Sequence, residues 1–177
     1  MKKTIVWMLG LILVTASAMA EEMKEHKGMP APPKISAELE KIKSLAGRWE
    51  GVDSKDPNAK VSVEYQVTSG GSAVVEKLFP GTSKEMVSVY HDKNGKLAMT
   101  HYCMLGNQPQ LEEKSFDGNK IGLSLSDASA SELKGQMHMH ALTVDFKDAD
   151  HITETWGGYS ADGKPMDATV IDVARVK

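Results

Sequence analysis

The chain has one cysteine, Cys103, in 177 residues, which excludes an internal disulfide. Its aromatic content is 6%, and no cluster of Lys or Arg stands out among 21 basic and 24 acidic residues. The lack of a basic cluster argues against a nucleic-acid or anionic-membrane partner. Beyond residue 20 no segment approaches the roughly 20 consecutive apolar residues of a membrane span. No nucleophile elbow, P-loop, paired-cysteine zinc site or dinucleotide fingerprint occurs, so nothing in the sequence nominates a catalytic residue.

What is present begins at the N-terminus. MKKTIVWMLGLILVTASAMA carries a positive start at Lys2 and Lys3, an apolar run from Ile5 to Val14, and Ala18-Met19-Ala20 as a small-x-small site. This is the pattern of a secretory signal peptide cleaved after Ala20, and it predicts a periplasmic or secreted protein without membrane insertion after cleavage. Loss of Lys2 and Lys3 leaves 19 basic against 24 acidic residues, a net charge of −5. Residues 21–34, EEMKEHKGMPAPPK, are polar and proline-rich and read as a flexible linker, with His26 solvated in it. Residues 35–177 are long enough for one domain.

That domain opens on Ile35, Leu39, Ile42 and Leu45, the apolar face of a short helix with Ser36 as N-cap, ended by Ala46-Gly47. From Arg48 onward the periodicity switches to two. Ten strands are expected, at 48–52, 61–68, 72–79, 86–91, 96–104, 110–116, 120–125, 137–146, 151–158 and 165–176. Ser69-Gly70-Gly71, Asp92-Lys93-Asn94-Gly95 and Asp117-Gly118-Asn119 between them are hairpin chemistry. Ten antiparallel strands in one small domain leave long edges unless they close, so the fold class is a mainly β, up-and-down antiparallel barrel. If the strands simply alternate, the turns at 69–71, 92–95, 117–119 and 147–150 share one end. The mostly longer connections at 53–60, 80–85, 105–109, 126–136 and 159–164 share the other. The result is a cup with a mouth, its bottom closed by the helix.

Gly47-Arg48-Trp49 after a short helix, with Arg175 in the last strand, resembles the signature of the calycin superfamily, which includes lipocalins, fatty-acid-binding proteins and nitrobindin-type haem proteins. The resemblance implies a tryptophan at the closed end under the final strand's arginine, a cation–π pair. The strand directions put Trp49 and Arg175 at that same end. There is no lipocalin disulfide, and Asp53 stands where the nitrobindin motif has its third glycine, so haem is not carried over.

Alternation then assigns faces. In strand five Leu97, Met99, His101, Cys103 and Leu105 share a side; in strand eight His138, His140, Leu142, Val144 and Phe146 do. Taking both sets as interior makes His101, Cys103, His138 and His140, with Met99 and Leu142, the candidate contacts of a small apolar or amphipathic ligand near the mouth. A lone cysteine is usually a small buried hydrophobe, and a buried histidine usually a hydrogen-bonded structural residue. It is the shared depth of the four groups that points to a site. The alternative is a metal or haem protein using His101, His138 and His140 with Cys103 as fourth ligand; a third is a filled barrel serving as a protein-interaction module. The leading reading needs no cofactor. Met137-His138-Met139-His140 suits copper as a composition, yet in a strand its members alternate sides and cannot chelate together. His91 and His151 fall at closed-end turns. The facing of Glu154 is undecided, because the 147–150 turn and the Ile152 and Trp156 pattern give opposite answers.

Overall fold

The structure is a computed structural model and describes residues 34–177. The expected signal peptide, His26 and all but the last residue of the linker lie outside the described residues.

A short helix, α1 (Ala37–Lys43), precedes ten antiparallel strands that close into a barrel. They are β1 (Gly47–Asp53), β2 (Asp56–Thr68), β3 (Ala73–Leu78), β4 (Met86–Lys93), β5 (Lys96–Tyr102), β6 (Gln110–Phe116), β7 (Lys120–Leu125), β8 (His138–Phe146), β9 (His151–Tyr159) and β10 (Thr169–Arg175). Each strand pairs with its sequence neighbours, and β1 closes the ring against β10. Closure removes every sheet edge, the economy that ten short strands demand. A second short helix, α2 (Asp127–Glu132), lies in the connection between β7 and β8, and a single 3₁₀ turn occupies Ser69–Gly71.

Two connections differ from the sequence expectation. The one after β9 runs on to Ala168, and the strand expected from 165 begins at Thr169. The stretch 53–60 is no long loop: β1 and β2 form a tight hairpin, and Asp56–Lys60 continue β2 with solvent on both faces. A polar strand end that projects beyond the core has no apolar alternation to announce it.

The closed end is built from α1 and the β1–β10 pair. Ser36 caps the helix by accepting from the Leu39 N–H, and its own N–H and hydroxyl donate to Asp92, near the end of β4, at 2.6 and 2.7 Å. Leu39, Ile42 and Leu45 are buried. Trp49 is fully buried, donates Nε1–H to the Leu45 carbonyl at 2.7 Å, and stands opposite Arg175 in register. The Arg175 guanidinium lies 4.3 Å from the Trp49 ring centroid and donates to the carbonyls of Ala46 and Ser44 at 2.7 and 2.8 Å. One side chain thus covers the indole and satisfies two carbonyls that the end of α1 leaves free. Gly47 has φ +126°, and a Cβ there would stand 3.2 Å from Arg175 Nη1. At Gly51 a Cβ would lie 1.8 Å from the Asp172 carbonyl oxygen, so only glycine lets β1 approach β10 this closely.

Candidate functional site

The lumen is filled from the bottom upward. Trp49, Leu97, Leu111, Ile121, Leu142, Val144 and Ile152 pack at 2% exposure or less, and Met99 joins them. Met99 and Leu142, expected to touch a ligand, are therefore core residues below the open space. The cavity occupies only the mouth, with a volume of about 360 Å³. Its wall is made by the mouth ends of the strands and their connections, including Leu78, Phe79, Met86, Cys103, Met139 and Ile171. His101 and Trp156, with ring centroids 5.2 Å apart, are the deepest aromatic groups and form its floor. Tyr102, Met104, Leu105, Met137 and Met166 are exposed large hydrophobic residues, and all lie at the mouth. The rim is unusually apolar for a surface.

The stretch HYCMLGNQP ends β5 and turns. The Gly106 N–H donates to the Cys103 carbonyl at 2.9 Å, and the Cys103 N–H donates to the Asn107 carbonyl at 3.1 Å. Asn107 Nδ2 reaches across to donate to the Met137 carbonyl at 2.8 Å, tying this turn to the start of β8. His101, Cys103 and Leu105 all line the cavity.

Strand eight behaves differently. Its pairing with β9 slips between Met139 and Ala141, a β-bulge at His140. Below the bulge Leu142, Val144 and Phe146 are buried, as alternation requires; above it the facing reverses, and Met139 is the buried core residue. His140 stacks on Tyr159 at 3.9 Å, with its Nδ1 buried and unpartnered, and is not part of the cavity wall. His138 borders the cavity while its ring sits 5.8 Å from His140 and 6.2 Å from Tyr159; its Nδ1–H donates to the Gln136 carbonyl at 2.7 Å. The four-member set His101, Cys103, His138 and His140 is consequently not assembled. Among the described residues no group of three or more His, Cys, Asp or Glu side chains is arranged to hold a metal ion. His91 and His151 sit at closed-end turns, His151 against Asp148 at 2.9 Å.

Beneath the floor lies a polar assembly that periodicity alone did not single out. Tyr65, Glu76, Ser88 and His101 face one another in register across β2, β3, β4 and β5, forming one buried row. Glu154 completes it from β9. It is fully buried, accepts from Tyr65 Oη, and accepts from Trp156 Nε1–H at 2.9 Å. Tyr90 donates to Glu76 Oε2 at 2.7 Å, and Tyr65 Oη lies 3.4 Å from Glu76 Oε1. The signal was available: Val74-x-Glu76-x-Leu78 places an acid on an apolar strand face, and Val61-x-Val63-x-Tyr65 does the same for a phenol.

Burial, followed by the nearby Glu154 charge, holds Glu76 well above the ordinary carboxylate range, and burial raises Glu154 too. Two carboxyls at such close quarters share a proton, because a second buried charge is too costly. Glu76 is raised the further of the two, because the Glu154 charge adds to its burial. The single Tyr65 O–H is shared between Glu154, the nearer acceptor, and Glu76. Burial and the adjacent carboxylates push Tyr65 and Tyr90 upward, so both stay neutral donors. His101 is pushed down to about 4 by burial and is neutral. Its Nδ1 is 3.0 Å from Ser88 Oγ.

No family model and no curated protein matches this chain. Its fold is similar to two solved structures. One is a protein of unknown function of the DUF3598 family from Nostoc punctiforme, at TM-score 0.53 and 14% identity over 84% of this chain. The chain spans about half that protein, 53% of its length. The other is Rv2717c from M. tuberculosis, at TM-score 0.54 and 12% identity, with 81% of this chain and all of that one covered. At these identities the likeness shows the fold alone, a ten-stranded antiparallel barrel consistent with a calycin-like architecture.

Proposed function

We propose that this is an exported β-barrel that binds a small apolar or amphipathic molecule in its mouth. The observation that carries the reading is the cavity of about 360 Å³, walled mainly by Leu, Ile, Phe, Met and Trp side chains over a polar floor. Small-molecule sites have this character, mostly apolar with a few placed polar groups, and this volume is near the lower end of their roughly 300–1,000 Å³ range. The apolar rim supports the same reading, since it offers an amphipathic molecule a path in that avoids water. The signal-peptide pattern of residues 1–20 supports export.

Cys103 provides the test, because it is the sole cysteine, is half-buried and lines the cavity. Protein purified from its source should release a small apolar compound on solvent extraction, detected as a mass difference in native mass spectrometry. Alkylation of Cys103 should be faster after extraction and slow again when an apolar probe is added back. An unchanged alkylation rate across a panel of apolar probes, with no extractable compound, would overturn the proposal.

A further inference from the structure

The wall of the mouth cavity is rich in sulfur. Met86, Met137, Met139, Met166 and Cys103 all line it, four thioethers and the chain's only thiol. The topology gathers them. Met166 Sδ stands 3.8 Å from where a Cβ on Gly158 would be, and Gly158 pairs with Met139 across β8 and β9. The Met166 thioether therefore fills the side-chain space that Gly158 leaves opposite Met139. The β4–β5 ladder ends at Val87–Tyr102, and the next residues on the two strands, Met86 and Cys103, both border the cavity. Asn107 accepts from the Cys103 N–H and donates to the Met137 carbonyl, which brings the start of β8 to the same rim.

His138 adds a nitrogen donor. Its Nδ1 lies 2.7 Å from the Gln136 carbonyl, which only accepts, so Nδ1 carries the hydrogen and Nε2 of the neutral ring is the lone pair. A backbone carbonyl holding one ring N–H is the arrangement that orients metal-bound histidines. Met137, His138 and Met139 reach one cavity because Met137 precedes the strand and the bulge at His140 turns Met139 inward. The alternation that separates such neighbours in a regular strand does not apply to these three. Among the described residues no Lys or Arg lines the cavity to repel a cation.

We propose that the mouth cavity binds a soft monovalent metal ion, Cu(I), through methionine thioethers, the Cys103 thiolate and His138 Nε2. Thioether and thiolate ligands favour Cu(I), whereas Zn²⁺ takes thiolate, imidazole and carboxylate ligands. Binding is ligation without a change of oxidation state: the Cys103 thiol releases its proton to solvent as the S–Cu bond forms. The proposal does not depend on the organic-ligand reading. The same flexible methionines serve an apolar molecule as a wall and a metal ion as ligands.

The test titrates Cu(I), kept reduced by ascorbate without oxygen, into extracted, full-length mature protein against the coloured chelator bicinchoninate. The uncharged dye N-phenyl-1-naphthylamine separately probes the organic-ligand site. The protein should withdraw about one equivalent of Cu(I) from the chelator. Cys103→Ser and the double variant Met139→Leu/Met166→Leu should each weaken Cu(I) binding at least about tenfold, since loss of an outer-shell partner alone costs that much. Leucine conserves the volume of methionine, so the double variant should fold and keep its dye affinity. Dye binding with no withdrawal of Cu(I) would overturn the metal site and leave the mouth-binding reading standing. Unchanged Cu(I) binding in both variants would move the ion to donors outside the cavity, such as Met23, His26 and Met29, and overturn the site. Weakening in Cys103→Ser alone would reduce the site to a thiol adduct and overturn the role of the methionines.

Discussion

Trp49 is the residue on which the closed end depends. Its indole is fully buried, its N–H is satisfied by Leu45, and Arg175 covers its face. Truncating a buried tryptophan costs about 3–5 kcal/mol. The cation–π contact adds up to about 2 kcal/mol, less here because the Arg175 side chain is 24% exposed. Trp49→Ala should lower the melting temperature by on the order of 10 °C in a domain this size. Dye affinity of the folded fraction should stay unchanged, since Trp49 shares no wall with His101. A calorimetric scan and a dye titration at one temperature check both halves. Loss of dye affinity in the folded protein would mean that the two ends of the barrel are coupled.

At the scale of the element, the bulge in β8 decides which residues see the cavity. His140 is the extra residue between the Met139–Gly158 and Ala141–Gly157 pairs. Deleting it would join those pairs in regular alternation, leaving Met139 inside and His138 opposite Tyr159. The deletion loses the stack on Tyr159, about 0.5–1.5 kcal/mol, and removes a buried unpaired nitrogen whose desolvation costs about 1–3 kcal/mol. The two nearly offset. The deletion variant should fold, melt within a few degrees of the parent and bind the dye equally well. Collapse of dye binding in a folded variant would return His140 to the site. Circular dichroism and the dye titration together make the measurement.

For the whole molecule, the buried acids and His101 impose opposite pH dependences. Glu76 and Glu154 are raised above 4.5 by burial, so the native state holds a proton that the unfolded chain releases. Their contribution is complete below about pH 4.5 and is lost as pH rises through the raised native values. His101 falls from 6.5 to about 4, so its contribution is present above about pH 6.5 and is lost as pH drops toward 4. Above about pH 6.5 only the carboxyl effect remains, and stability should decline with increasing pH. Glu76→Gln removes the titrating group while its amide oxygen still accepts from Tyr90. It should flatten that decline in urea titrations between about pH 6.5 and 9. An equally steep decline in the variant would place the titrating group elsewhere.

The sequence by itself determined the barrel. Apolar alternation, Gly- and Asn-rich turns and one amphipathic helix located all ten strands, their directions and the end that Trp49 and Arg175 share. These are local signals, because each strand must put its apolar residues on one face wherever its partners lie. Only the tertiary structure decided the site. A single extra residue at His140 reverses every facing beyond it, and nothing in Met137-His138-Met139-His140 distinguishes a bulge from a regular strand. Met99 and Leu142 look like cavity residues by alternation, yet depth along the barrel, set by how far the packing of other strands rises, makes them core. Glu154 faces inward because Ile152 and Trp156 do, which its ambiguous turn left open. Its pairing with Glu76 joins strands 78 residues apart in the chain. That contact exists only once the ring has closed, and the charge it places beneath the cavity follows from closure.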